Sequence, residues 1–104
     1  IDDFNNIILK VGLIKSCLNV EKSSKLLCSE VDLGEGRLRS IVSGVAEFYS
    51  PEELVDRRVL VVANLKPIKL MGVVSEGMIL FSDNKGKLII IDAPDNLEAG
   101  DNIR

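Results

Sequence analysis

The sequence contains no histidine and no tryptophan among its 104 residues, and aromatic residues make up only 4% of it. Without histidine, the chain cannot build a Ser-His-Asp triad or a Cys-His pair from its own residues, and it lacks one of the common zinc ligands. Because aromatic side chains are so few, platforms for stacking nucleic-acid bases must also be few. These absences exclude histidine-dependent nucleophilic catalysis within the chain, and we expect no metal and no cofactor.

Cysteine is also scarce, since Cys17 and Cys28 are the only two. They do not form a CxxC pair, so neither a zinc cluster nor a disulfide framework is indicated. Apolar neighbours favour buried free thiols, and free thiols are typical of a reducing compartment, so we expect a cytoplasmic protein. No apolar run is long enough to span a bilayer, and we expect no membrane association.

The charge is slightly acidic, with 13 Lys and Arg against 16 Asp and Glu and a net charge of -3. This balance argues weakly against a nucleic-acid partner, which usually requires a basic domain. The charges are distributed unevenly, however. Residues 57–75 carry four basic side chains and no acidic one, whereas acids gather in residues 92–101. The pattern indicates either a basic face on an acidic protein or an ordinary solvated surface.

The length and the 46% hydrophobic fraction fit one globular domain, which we expect to span residues 1–104. The first residue is Ile1 rather than Met, which favours a domain taken from a longer chain. Short apolar runs broken by Gly, Asp and Asn are typical of a small all-β domain.

The predicted elements follow the order of a small barrel. Strands are predicted at residues 7–16, 25–32, 37–44, 59–65, 73–74, 78–82 and 88–92. Gly12 predicts a bulge or bend in the first strand. Ser50, Pro51 and Glu53 predict a capped helix that ends near Asp56. Three strands, a short helix and further strands are the order of the OB fold, a five-stranded barrel that commonly binds oligonucleotides.

One segment, residues 64–78, combines basic, amide and glycine residues in a way that suits a phosphate-bearing ligand. Asn64 and Lys66 share a face if the preceding strand continues that far, and Pro67 ends the ladder and places a loop there. Lysine side chains suit phosphates, and Asn and Ser bond sugar, phosphate or base edges. The alternative is a solvated basic loop whose glycines serve turns.

This segment and further motifs in the same order resemble the tRNA-binding domain family. That family is the OB-fold module appended to bacterial methionyl-tRNA synthetases, and it also includes free-standing tRNA-binding proteins and EMAP II-like proteins. The similarity covers nearly the whole chain. The matching motifs are residues 1–4, Leu9–Gly12, Lys25–Leu27, Val31–Gly34, Arg39, Val42–Gly44, Tyr49, Pro51–Leu54, Asn64–Pro67, Lys69, Gly72, Ser75 and Gly77-Met78.

The sequence departs from the family pattern at three places. Residues 20–24 read Val-Glu-Lys-Ser-Ser where the family often has His-Pro-x-Ala-Asp, so this loop is less suited to bonding RNA. Ile68 stands where a basic residue is frequent, which removes one possible phosphate contact. Val74 stands where an acid is common.

The resemblance implies a non-catalytic module that raises the tRNA affinity of methionyl-tRNA synthetase. The residues that it assigns to the RNA face are Asn64, Lys66, Lys69, Ser75 and Met78, with Lys25, Arg39 and Ser43 added from strands two and three. Core packing is the alternative for Met78, and a surface strand charge is the alternative for Arg39. The few aromatics favour recognition of tRNA shape and backbone.

The resemblance also implies partners beyond tRNA. We expect a homodimer that uses the terminal segments, residues 1–6 and 95–104, and a synthetase catalytic core in the same chain. The alternative function is a dimeric protein-interaction or chaperone-like OB domain, which would need an exposed apolar patch instead of the basic segment.

Overall fold

The structure is a computed structural model that describes residues 7–104. In this part of the chain, strands account for almost all of the regular structure, and one short helix interrupts them. The strands are β1 (Leu9–Asn19), β2 (Leu27–Asp32), β3 (Leu38–Ser43), β4 (Arg58–Val62), β5 (Ile68–Leu70), β6 (Val73–Ser75), β7 (Met78–Ile79), β8 (Phe81–Asn84), β9 (Lys87–Ile90) and β10 (Asn102–Ile103). The helix α1 (Pro51–Leu54) lies between β3 and β4, as predicted.

The main sheet is antiparallel and runs in the order β3-β2-β1-β4-β7, with β10 added beside β1. Strand β1 serves two parts of this sheet, because its first half pairs with β4 and its second half pairs with β2. Two hairpins, β5–β6 and β8–β9, form separate small sheets. This curled sheet with its helix between the third and fourth strands confirms the predicted all-β, OB-like barrel.

Gly12 allows β2 and β4 to approach the middle of β1. A Cβ atom on Gly12 would lie 2.6 Å from Cγ1 of Val31 and 2.9 Å from Cγ2 of Val61, so any side chain here would clash with the core. The bulge predicted at Gly12 occurs slightly later, between Ile14 and Ser16. The glycine is therefore required for close packing, while the bulge curls the strand two residues further on.

The core lies inside the curled sheet. Because side chains alternate along a strand, β2 turns Leu27, Ser29 and Val31 inward. The buried cluster consists of Ile14, Cys17, Leu27, Val31, Leu33, Ile41, Val45, Leu54, Val59, Val61, Ala63, Ile79 and Ile90. Burial of each large aliphatic side chain contributes about 1.5–3 kcal/mol.

Helix α1 begins with the predicted cap. The carboxylate of Glu53 accepts hydrogen bonds from the backbone N–H of Ser50 at 2.8 Å and from its hydroxyl at 3.1 Å. These bonds hold the pKa of Glu53 below its ordinary value. The helix ends at Leu54, before the predicted Asp56, because Val55 is extended and Asp56 has φ 70°. Leu54 is fully buried, so the helix covers part of the core.

Several predicted boundaries were wrong. The first strand runs two residues later at its start and three later at its end than predicted, and the fourth ends at Val62 instead of residue 65. The predicted loop after Pro67 contains β5, and the strand predicted at residues 78–82 divides into β7 and β8. The polar tail contributes β10, which pairs with the start of β1. The sheet therefore has one more strand than the predicted five.

Both cysteines are free thiols, as predicted, although only Cys17 is buried and Cys28 is half-buried. Burial raises the pKa of both thiols, which lowers their reactivity at neutral pH. Within residues 7–104, helices that could cross a membrane are absent. The same part of the chain holds no cluster of acidic and cysteine side chains that could bind a metal ion.

Candidate nucleic-acid interface

The barrel closes where β3 meets the chain between β6 and β7. The backbone N–H of Glu76 donates to the carbonyl of Ser40 at 2.7 Å. The hydroxyl of Ser75 accepts a hydrogen bond from the N–H of Val42 at 2.9 Å and donates to the carbonyl of Gly77 at 3.2 Å. We call this junction, formed by Ser40 and Val42 of β3 with residues 75–77, the seam. It is joined by a side-chain hydroxyl as well as by the backbone.

Ser75 was predicted to contact RNA, but its side chain lies inside this seam. The residue is only 4% exposed, and its hydroxyl is engaged by two backbone groups. In this structure Ser75 stabilises the barrel, and its hydroxyl is not presented to a ligand. The sequence around Ser75 does not indicate this role, because Val42 is 33 residues away in the chain.

Arg39 has a similar position at the same seam. Its Nη1 atom donates to the carbonyl oxygens of Ala63 at 2.5 Å and Glu76 at 3.0 Å. Its Nε and Nη2 atoms donate to the carboxylate of Glu35 at 2.8 and 2.6 Å. The side chain is 16% exposed, so nearly all of its hydrogen-bonding edge is turned to the protein. Arg39 is neither the surface strand charge nor the open phosphate contact considered from the sequence.

Asn64 follows β4 and bonds back to the start of β1. Its Oδ1 atom accepts a hydrogen bond from the backbone N–H of Ile8 at 2.9 Å, across 56 residues of sequence. Because β4 ends at Val62, Asn64 and Lys66 do not share the strand face that the sequence suggested. The amide side chain instead holds the beginning of the loop that carries Lys66.

Lys66 and Lys69 are exposed on the segment that leaves this seam. Lys69 lies in β5 opposite Val74 of β6, so these two side chains share the outer face of the hairpin. Within the described part of the chain, neither lysine forms an ion pair. The acid on the same segment, Glu76, is paired instead with Arg37 at 2.8 Å. Among the described residues, no carboxylate thus competes with an anionic ligand for these two ammonium groups.

The remaining predicted residues lie at three different places. Met78 is 51% exposed at the start of β7, which excludes core packing as its role. Ser43 is buried in β3 opposite Leu27. Lys25 is exposed but precedes the far end of β2. Arg39 lies opposite Val31, whereas Lys25 precedes Leu27, whose partner in β3 is Ser43, so Lys25 and Arg39 lie toward opposite ends of the β2–β3 pair.

The eight predicted residues thus separate by position. Lys66, Lys69 and Met78 are exposed on or beside the segment between β4 and β7, whereas Arg39, Asn64 and Ser75 bond the barrel on either side of that segment. Glu35 was missed by the sequence analysis, although it fixes Arg39. The hydrogen bond with Arg39 holds the pKa of Glu35 below its ordinary value, and Lys10 contributes electrostatically in the same direction.

Known proteins share both the sequence and this architecture. Residues 9–102 match the family model described as "Putative tRNA binding domain". The chain is 51% identical over its full length to the methionine–tRNA ligase of Listeria monocytogenes and 58% identical over 88% of its length to that of Helicobacter pylori. It spans 16% and 14% of the lengths of these two proteins.

Solved structures show the same fold. The MetRS-related protein from Pyrococcus horikoshii superposes with a TM-score of 0.92 at 36% identity, over 99% of this chain and 94% of that chain. The chaperone CsaA from Bacillus anthracis superposes with a TM-score of 0.86 at 22% identity, over 99% of this chain and 95% of that chain, which is a likeness of fold alone. On the family match and the Pyrococcus relative, the chain belongs to the tRNA-binding domain family.

Proposed function

We propose that this chain is a non-catalytic tRNA-binding module that raises the tRNA affinity of a methionine–tRNA ligase of which it forms part. The observation that carries the proposal is the pair of exposed lysines, Lys66 and Lys69, within residues 57–75, which hold no acidic side chain, in a member of the tRNA-binding domain family. The similarity to a part of known ligases, 14–16% of their length, supports a synthetase core in the same protein.

The proposed RNA face is smaller than the set derived from the sequence. Lys66 and Lys69 bind phosphates, and Met78 borders them, while Arg39, Asn64 and Ser75 hold the segment in place. Lys25, just before β2, contacts a part of the RNA that extends past the β5–β6 hairpin. Ser43 acts only by supporting β3. With about four phosphate contacts, a fourfold rise in salt weakens binding by roughly tens- to hundredfold.

A titration against tRNA at two salt concentrations, with duplex DNA as competitor, tests this proposal. The double variant Lys66→Ala, Lys69→Ala should bind more weakly. The negative slope of log affinity against log salt should become shallower by about 1.5, because two phosphate contacts are lost. The matched control is Lys85→Ala, Lys87→Ala, which removes the same charge from the exposed β8–β9 hairpin. Equal losses in the two variants, or binding that is insensitive to salt, would contradict the proposed face.

A second experiment tests the link to the ligase. Removal of this domain from the full-length enzyme should raise KM for tRNA while leaving methionine activation unchanged, because the module carries no catalytic group. Equal KM values with and without the domain would contradict this role.

We also propose that the module forms a homodimer through its terminal segments. Residues 1–6 of the predicted interface lie outside the described residues. In the described part, Ile7 and Ile8 are exposed beside β10, and with Leu9 and Ile103 they line a surface cavity of about 270 Å³. Light scattering should give a dimer, and Ile7→Glu should give a monomer; a monomeric parent chain would contradict this proposal.

The alternative function, a chaperone-like protein-binding domain, has the weaker support. The likeness to CsaA is one of fold, and the exposed apolar side chains near β5 and β6 are accompanied by lysines. Binding of unfolded polypeptide by the chain in the absence of any tRNA binding would favour this alternative.

A further inference from the structure

Large apolar side chains are exposed along and beside the β5–β6 hairpin. The exposed fractions are 56% for Ile68, 53% for Met71, 44% for Val74 and 51% for Met78. A single exposed apolar residue is normal on a protein surface. A group of them within one short segment is typical of a surface that meets a partner.

The same segment carries the two lysines of the proposed RNA face. Lys69 pairs with Val74 in the hairpin ladder, and directly opposed side chains have their Cβ atoms about 5 Å apart. Lys66 lies just before the hairpin. Cationic and apolar groups therefore occur together on one surface, and its partner must offer both negative charge and apolar faces.

The turn of this hairpin places Met71 at its tip with an unfavourable backbone. Met71 has φ 49° and Gly72 has φ 84°, the two positive values that a type I′ turn requires. Asn, Asp or Gly suits the first of these positions, whereas an ordinary side chain is strained there. The flexible, polarizable thioether of Met71 adapts well to a flat surface.

Unpaired RNA offers the required combination of chemistry. Its phosphates alternate with sugars and bases whose faces are open, whereas the bases of a duplex are stacked inside and present mainly a charged backbone. A protein partner would need an acidic apolar strip, whereas the family match is to a domain described as tRNA-binding, which favours RNA.

We propose that the tip of the β5–β6 hairpin, Met71 with Val74, covers unpaired nucleotides while Lys66 and Lys69 bind the flanking phosphates. This inference rests on the proposed function and deepens it, because it names which part of an RNA the hairpin recognises. Aliphatic and thioether side chains serve here in place of aromatic residues, which make up only 4% of the chain.

Two variants of one residue test the inference, with tRNA and a fully paired RNA duplex as ligands. Met71→Asn should raise Tm by about 2–6 °C because Asn suits the turn. The same variant should weaken tRNA binding by about 5- to 20-fold, the effect of losing one apolar contact. The salt slope should not change, because no phosphate contact is lost. Met71→Leu keeps an apolar side chain and should retain the affinity.

The duplex and a second hairpin provide the controls. Met71→Asn should leave affinity for the duplex unchanged. Lys85→Asn makes the same substitution in the β8–β9 turn, where Lys85 has φ 54° and Gly86 has φ 82°. It should raise Tm in the same way with little effect on tRNA binding.

The outcomes separate this inference from the proposed function. Unchanged tRNA affinity in Met71→Asn would overturn the inference and leave the apolar tip to a protein partner. Equal loss for tRNA and duplex would also overturn it, because the tip would then contact RNA whether or not its nucleotides are paired. Loss of tRNA binding in Lys66→Ala, Lys69→Ala would still uphold the proposed function in that case. A parent chain that binds neither RNA would overturn both.

Discussion

The guanidinium of Arg39 and the carboxylate of Glu35 form two parallel hydrogen bonds, with Nε–Oε1 and Nη2–Oε2 distances of 2.8 and 2.6 Å. Charge-assisted pairs of this geometry are stronger than neutral hydrogen bonds. With Arg39 so oriented, its Nη1 atom reaches the carbonyls of Ala63 and Glu76. Both ends of the segment that carries the exposed lysines are therefore fixed to β3.

This relationship predicts how removal of the Glu35 charge changes the free energy of unfolding and the affinity for tRNA. Glu35→Gln should lower the free energy of unfolding by about 1 kcal/mol, since the pair is partly exposed and screened. It should not strengthen tRNA binding, although it removes a negative charge and frees Arg39, because Arg39 acts by holding the segment. Binding curves compared with those of Asp95→Asn, an exposed acid elsewhere, provide the check. Tighter binding by Glu35→Gln alone would show that Arg39 is a phosphate contact.

The same pair predicts how stability depends on pH. Because Arg39 holds the pKa of Glu35 below its ordinary value, ionised Glu35 stabilises the fold above its unfolded pKa of about 4.3. This contribution is lost as the pH falls through the lower, folded pKa. Urea unfolding of the parent and Glu35→Gln should differ at neutral pH and converge in acid. A difference that grows in acid would contradict the pairing.

Ser75→Ala tests whether Ser75 acts within the barrel. The change leaves the buried N–H of Val42 without its acceptor, and it should lower the free energy of unfolding by about 1–3 kcal/mol. Affinity for tRNA, measured well below the unfolding temperature, should stay close to that of the parent chain. A large loss of affinity with unchanged stability would instead place Ser75 on the RNA face.

Gly12→Ala tests the close packing of β1. The new Cβ would meet Val31 and Val61 at 2.6 and 2.9 Å, and overpacking of this kind costs about 1–3 kcal/mol. Gly44→Ala is the matched control, because its Cβ would meet only Leu26, at 3.9 Å. Thermal unfolding should show a clear decrease in Tm for Gly12→Ala alone, and equal shifts would contradict the packing argument.

The order of strands and the capped helix could be predicted from the sequence because their causes are local. Ser50 and Glu53 are three residues apart and bond each other directly, and alternating apolar residues indicate strands. Strand β5 was missed because only three residues separate Pro67 from the turn, and that turn has Met71 where Asn or Gly would have signalled a hairpin.

The candidate site was predicted less completely because side-chain direction depends on distant contacts. Lys66, Lys69 and Met78 were expected on the surface and lie there. The bonds of Ser75 and Arg39 join residues 33 and 37 positions apart, and backbone donors and acceptors leave no pattern in a sequence. Residue type indicated polar chemistry at these positions, while only the fold shows which groups are turned inward.

The most direct test of the account is amide chemical-shift mapping of the chain as tRNA is added. Signals of the segment from Lys66 to Met78 should shift or broaden, and signals of the β8–β9 hairpin around Lys85 should remain unchanged. Perturbation centred on β8–β9, with none between Lys66 and Met78, would contradict the proposed RNA face.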